Sequence, residues 1–294
     1  MMTESLSSVW AAQNHNRTME SFQVLVTCTC LVATYIVIRT IIVFWEIYQA
    51  RKHDTALPWH RRRNKGSSAL NEQGVVKLKT LVVLGSGGHT TEMLQLLSGL
   101  NDNNNDTTSS SSKVVYDFVY CKAASDTTSL QRVETFQKSV VKKQQTKRKN
   151  SAASDVSKSS KPEDIVCFNI PRAREVGQSY LTSIPTTMYA QLYALYLVLF
   201  QIQPHLVLCN GPGTCWPICL AALLFRILYL PQRQRQQQRY CHIVFCESLC
   251  RVKTLSLTGK LLYYITDVFL VHWKELHQQY PKYTRRIQTF VKDE

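Results

Sequence analysis

A doubly wound α/β fold with a parallel sheet is predicted by three features of this chain. Short β-branched runs alternate with longer apolar stretches. Each run is apolar on both sides of its alternation, as strands buried between two helix layers must be. Four of the runs end in glycine-rich or polar turns, the usual punctuation between strand and helix. In order, the strands are read at "TLVVLG", "VVYDFVYC", "DIVCFNI", "HLVLCN", "HIVFCES" and "VFLVHW". The helices between them are read at "TEMLQLLSGL", "TTSLQRVETFQKSV", "SYLTSIPTTMYAQLYALYLVLFQ", "WPICLAALLFRILYL" and "TGKLLYYI". This is the alternation of a Rossmann-type domain, expected over residues 77–283.

An anchor precedes that domain. Residues 1–20 are read as a short luminal N-terminus and 21–46 as a single membrane-spanning helix. Phe22 to Ile38 holds no charge, and the apolar run resumes after Arg39 as far as Trp45. About 20 apolar residues suffice to cross a bilayer. The leader is too long and too weakly charged for a cleaved signal peptide, and no small-residue cleavage pattern follows. Arg51, Lys52, Arg61, Arg62, Arg63 and Lys65 crowd a basic linker, 47–76, so the positive-inside rule puts the body in the cytosol. The sequon at Asn16 lies too near the bilayer for modification, and that at Asn105 falls in the cytosolic compartment.

The net charge is +15, all of it held in three stretches. One is the linker; the others lie in the low-complexity insertions expected near 138–162 and 231–239, and a third, polar insertion is read near 101–113. None interleaves aromatic residues that would stack on bases, so nucleic acid is not an expected partner. Most of the ten cysteines sit inside apolar runs. Neither Cys215/Cys219 nor Cys246/Cys250 has zinc spacing, so free core thiols in a reducing compartment are expected, and no metal site.

In an open parallel sheet, ligands bind at the carboxyl ends of the strands. Here those ends read "GSGGHT", "NIPRAREVGQS", "NGPGT" and "ESLCR". Glycine lets backbone amides approach a phosphate, and a following helix offers its positive N-terminus. Thr90 stands where a dinucleotide fingerprint needs its third glycine, and the second strand ends at Cys121 without a ribose-binding acid. "TGKL" around Lys260 lacks the rest of a Walker motif. No nucleotide cofactor is therefore expected. His89 lies near a helix start, whose dipole favours the neutral ring and leaves it able to accept a proton.

The strings "VVLGSGGHTTEML", "IPRAREVGQSY", "NGPGTCWPICL" and "ESLCRVKTLSLTGKLLYY" strongly resemble the membrane subunit of the two-part UDP-N-acetylglucosamine transferase of dolichol-linked glycan synthesis, the asparagine-linked glycosylation protein fourteen family. More distantly the chain is similar to the N-terminal half of the bacterial GT-B enzyme that adds GlcNAc to lipid-linked muramyl peptide. The resemblance implies a subunit held at the endoplasmic reticulum membrane that recruits a soluble, UDP-GlcNAc-binding catalytic partner to the cytosolic face. It implies addition of the second GlcNAc to GlcNAc-pyrophosphoryl-dolichol, inactivity without the partner, and other early dolichol-pathway glycosyltransferases as further neighbours. The alternative is a purely structural membrane receptor with a degenerate transferase fold.

Site roles follow at the matching positions. His89 is the candidate base for the acceptor hydroxyl, with Glu92 either orienting it or complementing the helix dipole. Ser86, Gly87, Gly88 and Thr90, with Gly211, Pro212, Gly213 and Thr214, would hold the pyrophosphate or the sugar edge. Arg172, Arg174 and Glu175 are loop charges that either bind or are solvated. Glu247 and Arg251 either line the cleft or form a structural ion pair. The helix around residues 186–203 is expected to pack in the core, with a monotopic helix at the bilayer as the alternative. Residues 284–294 are read as a tail without a strand or helix partner, either docking the soluble subunit or fraying.

Overall fold

The computed structural model describes residues 2–52, 75–103, 113–150, 165–174, 177–179, 181–211, 213–228 and 241–287. Residues 104–112 and 151–162 of the first two expected insertions, all of the third, most of the basic linker, Glu175, Pro212 and the last seven residues lie outside them. The chain divides into two units, Met1–Glu46 and Ile47–Glu294.

The first unit is helix α1, Met2–Lys52, whose last turn belongs to the second. Its apolar stretch, Ser21–Lys52, is 32 residues long, enough by length and composition to cross a membrane. Phe22, Leu25, Leu31, Val37, Ile41 and Trp45 expose large apolar side chains along it. The helix runs through the expected luminal segment and on into the expected linker. Within the second unit, Arg51 donates from Nε to the Thr266 carbonyl at 2.8 Å and lies 4.6 Å over the Tyr283 ring. Arg285 donates to the Ala50 carbonyl at 3.1 Å.

The second unit is a seven-stranded, wholly parallel sheet: β1 Val75–Leu84, β2 Lys113–Ala123, β3 Cys167–Ile170, β4 Leu206–Asn210, β5 His242–Cys246, β6 Val268–Val271 and β7 Thr284–Arg286. The strand order is β3-β2-β1-β4-β5-β6-β7. The reversal of winding between β1 and β4 makes that edge the topological switch point of a doubly wound sheet. All six expected strands are present. The seventh falls in the expected tail, since "TRR" carries no apolar residue; it adds to β6 in parallel, Phe269 opposite Thr284, and the buried Thr284 hydroxyl is bonded to His277 and the Tyr280 carbonyl.

Helices α2 Gly88–Asn103 and α3 Ser129–Asn150 pack against each other, as do α4 Ser183–Tyr196 and α5 Cys215–Leu228. Two short helices, α6 Leu257–Leu262 and α7 Lys274–Gln279, complete the unit. Val82, Leu84, Met93, Leu97, Tyr120, Val133 and Leu206 form a shared core, and every residue of β4 is buried. The helix α3 continues into the segment read as a basic insertion, consistent with the good helix propensity of its Lys, Gln and Arg residues. The ten cysteines are free.

The expectation of core packing for the fourth helix holds for one face. Ala190 and Ala194 are buried, as are Leu197 and Val198 in the π-helical segment Leu197–Ile202 that continues α4, and Gln191 donates to the Pro217 carbonyl of α5. At four-residue intervals, Ile184, Met188, Leu192, Tyr196 and Phe200 are each more than half exposed. A helix apolar all round can bury only the face its neighbours reach.

Candidate functional site

The β1 corner is built around Gly87, whose φ of +64° is the left-handed conformation that favours glycine. A Cβ at Gly87 or Gly88 would meet no atom within 4 Å, so the corner faces open space, with Ser86 exposed beside it. Thr90 turns the other way. Its buried hydroxyl donates to the Gly85 carbonyl and lies 2.6 Å from the Ser129 hydroxyl, which is bonded to Asp126. Asp126 also accepts from the amides of Thr128 and Ser129 at 3.0 and 3.1 Å, capping α3. Burial raises its carboxyl, but the Ser129 and Thr128 bonds outweigh that and hold it below its ordinary value. An acid therefore does follow β2, three residues beyond its end, but its carboxylate is committed to the helix.

His89 places Nδ1 3.5 Å from Glu92 Oε2, a close electrostatic contact at the outer limit of hydrogen bonding. The His89 side chain is 33% exposed, whereas Nδ1 itself is buried. Glu92 is the fifth residue of α2 and its side chain is only 12% exposed. That position is beyond the first turn, where a carboxylate best complements the dipole, so its burial is explained by contacts instead. Ser248 donates to Oε1 at 3.1 Å, and Asn210 Nδ2 approaches Oε2 at 3.4 Å. Burial pushes the Glu92 carboxyl up; contact with His89, the Ser248 hydroxyl and the Leu249 amide more than reverse this, leaving it below its ordinary value.

The two glycine turns meet through the His89 ring. Gly211 has φ +58°, and a Cβ there would lie 2.6 Å from His89 Cε1 and 2.8 Å from Nδ1. Gly211→Ala is accordingly expected to lower stability by about 1–3 kcal/mol. Gly213→Ala, where a Cβ meets nothing within 4 Å, should stay within about 0.5 kcal/mol of the parent. Denaturant titration of the two variants checks the contrast. Thr214 is buried, with an unpartnered hydroxyl among the described residues.

The remaining expected site residues are less convergent. Arg174 donates from Nε and Nη2 to the Gln178 carbonyl at 2.9 and 2.7 Å, closing its own loop, and Arg172 is half-buried. Glu247 is completely buried, and its Oε2 accepts from the Ser256 amide and hydroxyl at 3.0 and 3.1 Å. A Cβ at Gly259 would come 2.2 Å from that oxygen, so glycine there makes room for the carboxylate. Arg251 is exposed and, among the described residues, forms no ion pair with Glu247. The structural role of Glu247 thus runs through Ser256.

Three residues went unread in the sequence. Asn210 and Ser248 follow or end strands as ordinary polar residues, with nothing local to mark them. Arg132, in the first turn of α3, donates to the Gly87 carbonyl and to Thr91 Oγ1 at 3.2 Å. It borders a cavity of about 420 Å³ lined also by Thr91, Leu94, Thr128, Gln131 and Thr135. A cation in the first turn of the helix after β2, where the dipole disfavours positive charge, is the signal for it in the sequence.

Comparison with known proteins bears on this arrangement. Residues 80–287 match the family described as "Oligosaccharide biosynthesis protein Alg14 like". Proteins named UDP-N-acetylglucosamine transferase subunit ALG14 are similar to the chain. The mouse protein is 38% identical over 70% of this chain and 80% of its own; the human one is 36% identical over the same shares. That of Saccharomyces cerevisiae is 33% identical, over 69% and 73%. A crystal structure of MurG from Acinetobacter baumannii aligns with a TM-score of 0.37 at 13% identity, covering 67% of this chain and 42% of that one, a likeness too loose to carry an argument. By that family match over residues 80–287 and those identities, the chain belongs to the Alg14-like family of oligosaccharide biosynthesis proteins.

Proposed function

We propose that this chain is the membrane-held, acceptor-side subunit of a two-part UDP-GlcNAc transferase. It recruits a soluble partner carrying the nucleotide sugar to the cytosolic face of the endoplasmic reticulum. Together they add the second GlcNAc to GlcNAc-pyrophosphoryl-dolichol. The observation that carries this reading is the meeting of His89, Glu92, Asn210, Gly211 and Ser248 at the carboxyl edge of one parallel sheet. The names of the relatives support the nucleotide sugar, and the Ser21–Lys52 helix supports the membrane. The exposed apolar row on α4 suits a body that works at a lipid surface.

The geometry supports the following chemistry. With Nδ1 buried against an ionised Glu92, Nε2 is the nitrogen left to accept a proton. As the acceptor hydroxyl attacks the anomeric carbon of UDP-GlcNAc, its proton passes to Nε2. The new glycosidic C–O bond forms while the bond to the β-phosphate oxygen breaks, and UDP departs with that electron pair. The open amides of Gly87 and Gly88 are suited to the acceptor pyrophosphate. Ser86, Gly213 and Thr214 are assigned to the same acceptor edge.

Reconstitution tests the reading. The full chain in bilayers, with and without the soluble partner, is assayed for GlcNAc transfer to a GlcNAc-pyrophosphoryl lipid. Transfer is expected only with both proteins present. Turnover by the chain alone would overturn the two-part reading, and silence from the complete system would overturn the reaction.

A further inference from the structure

A carboxylate buried as deeply as Glu92 holds its place only if its oxygens are satisfied. Among the described residues of α2, the group that contacts it is His89, three residues earlier and 3.5 Å away. The remaining support comes from across the sheet. Asn210 ends β4 and is completely buried; its Nδ2 donates to the His89 carbonyl at 2.7 Å and reaches toward Glu92 Oε2 at 3.4 Å. One amide thereby touches both the backbone of His89 and the carboxylate beside its ring. Ser248, two residues past the end of β5, donates to the other oxygen at 3.1 Å. The register explains the convergence: Asn210 pairs with Cys246, so the chain beyond Cys246 passes directly alongside the β4 corner.

We infer that Asn210 and Ser248 are positioning residues, which hold Glu92 from the ends of β4 and β5 so that it fixes the His89 ring for proton transfer. This rests on the reading of His89 as the base. Neither residue touches the ring nitrogen that would take the proton. Both act through Glu92, and each ties a different strand end to the first turns of α2. The base is thereby fixed from the ends of two strands as well as by its own helix.

Steady-state kinetics of the full chain, reconstituted in bilayers with its soluble partner, tests the inference. Ser248→Ala and Asn210→Ala should each lower kcat by about 10- to 150-fold, the scale of one lost hydrogen bond to a charged group. KM for either substrate should stay within about twofold, since neither residue is assigned to substrate binding. Ser248→Thr keeps the hydroxyl and should recover most of the rate. In a Glu92→Gln background, Ser248→Ala should cost nothing further, because the link it serves is already broken. Full additivity in that cycle, a raised KM, or no benefit from threonine would overturn the assignment. If His89→Ala is silent, the underlying reading has failed; if His89→Ala is inactive while both positioning variants match the parent, only this inference has.

Discussion

Replacing His89 by alanine is expected to lower GlcNAc transfer by about 10²–10⁴-fold, the usual contribution of a positioned general base. The loss should appear in kcat, because the imidazole is assigned to the proton and not to either substrate's ground-state binding. Recruitment of the soluble partner should be unaffected, which co-flotation of the two proteins with vesicles would measure beside the transfer assay. The fold should tolerate the change: the ring lies over Gly211 and is a third exposed, so its removal leaves a shallow gap at the cleft rather than a core cavity. Transfer at the parental rate would favour the alternative reading, a membrane receptor with a degenerate transferase fold. The expected drop, with partner recruitment intact, separates the two.

Asp267→Ala should produce a large loss of stability in the body of the protein, about 3–5 kcal/mol, by removing the carboxylate that pairs with the buried Arg226 guanidinium. Asp267 is 1% exposed and Arg226 4%. Oδ1 lies 2.8 Å from Arg226 Nη1 and 3.6 Å from His242 Nδ1, while Oδ2 accepts from the Ile243 amide at 2.8 Å. Burial alone would raise this carboxyl; Arg226, His242 and the Ile243 amide overcome it and hold the group far below the usual carboxylate range. The sign of the pH dependence follows. With the folded value beneath an unfolded value of about 3.9, the contribution is complete above the unfolded value and declines as pH falls toward the folded one. Urea titrations of parent and variant across the acid range would check both size and direction. Because Asp267 precedes β6, at the edge opposite His89, the transfer rate per folded molecule should be unchanged.

Much of this protein was legible in one dimension. Strand identities follow from runs such as "HLVLCN", buried at every residue because helices cover both faces of the sheet. The contact of His89 with Glu92 is a consequence of helix geometry, three residues apart on one face. Gly87 and Gly211, both at positive φ, were marked by their place at strand ends. Elsewhere local pattern pointed to the wrong neighbour. Thr90 and Glu247 sit in motif positions, yet Thr90 faces α3 and Glu247 faces Ser256, because buried polar groups satisfy their hydrogen bonds with whatever the chain folds against them.

The sequence by itself determined the alternation of strands and helices, the apolar helix ahead of them, the two glycine corners and the histidine between them. Each is written in residues a few positions apart, within reach of helix and strand periodicity. Only the tertiary structure decided what surrounds the histidine. Asn210 and Ser248 come to Glu92 from 118 and 156 residues away, and Asp267 to Arg226 from 41. β7 exists by pairing with β6, not by any pattern of its own. For Asn210, Ser248 and β7 the reason is shared: parallel pairing brings successive strands alongside one another, and the register, absent from any local pattern, selects which groups meet. Asp267, by contrast, meets Arg226 because helix α5 packs back onto the sheet.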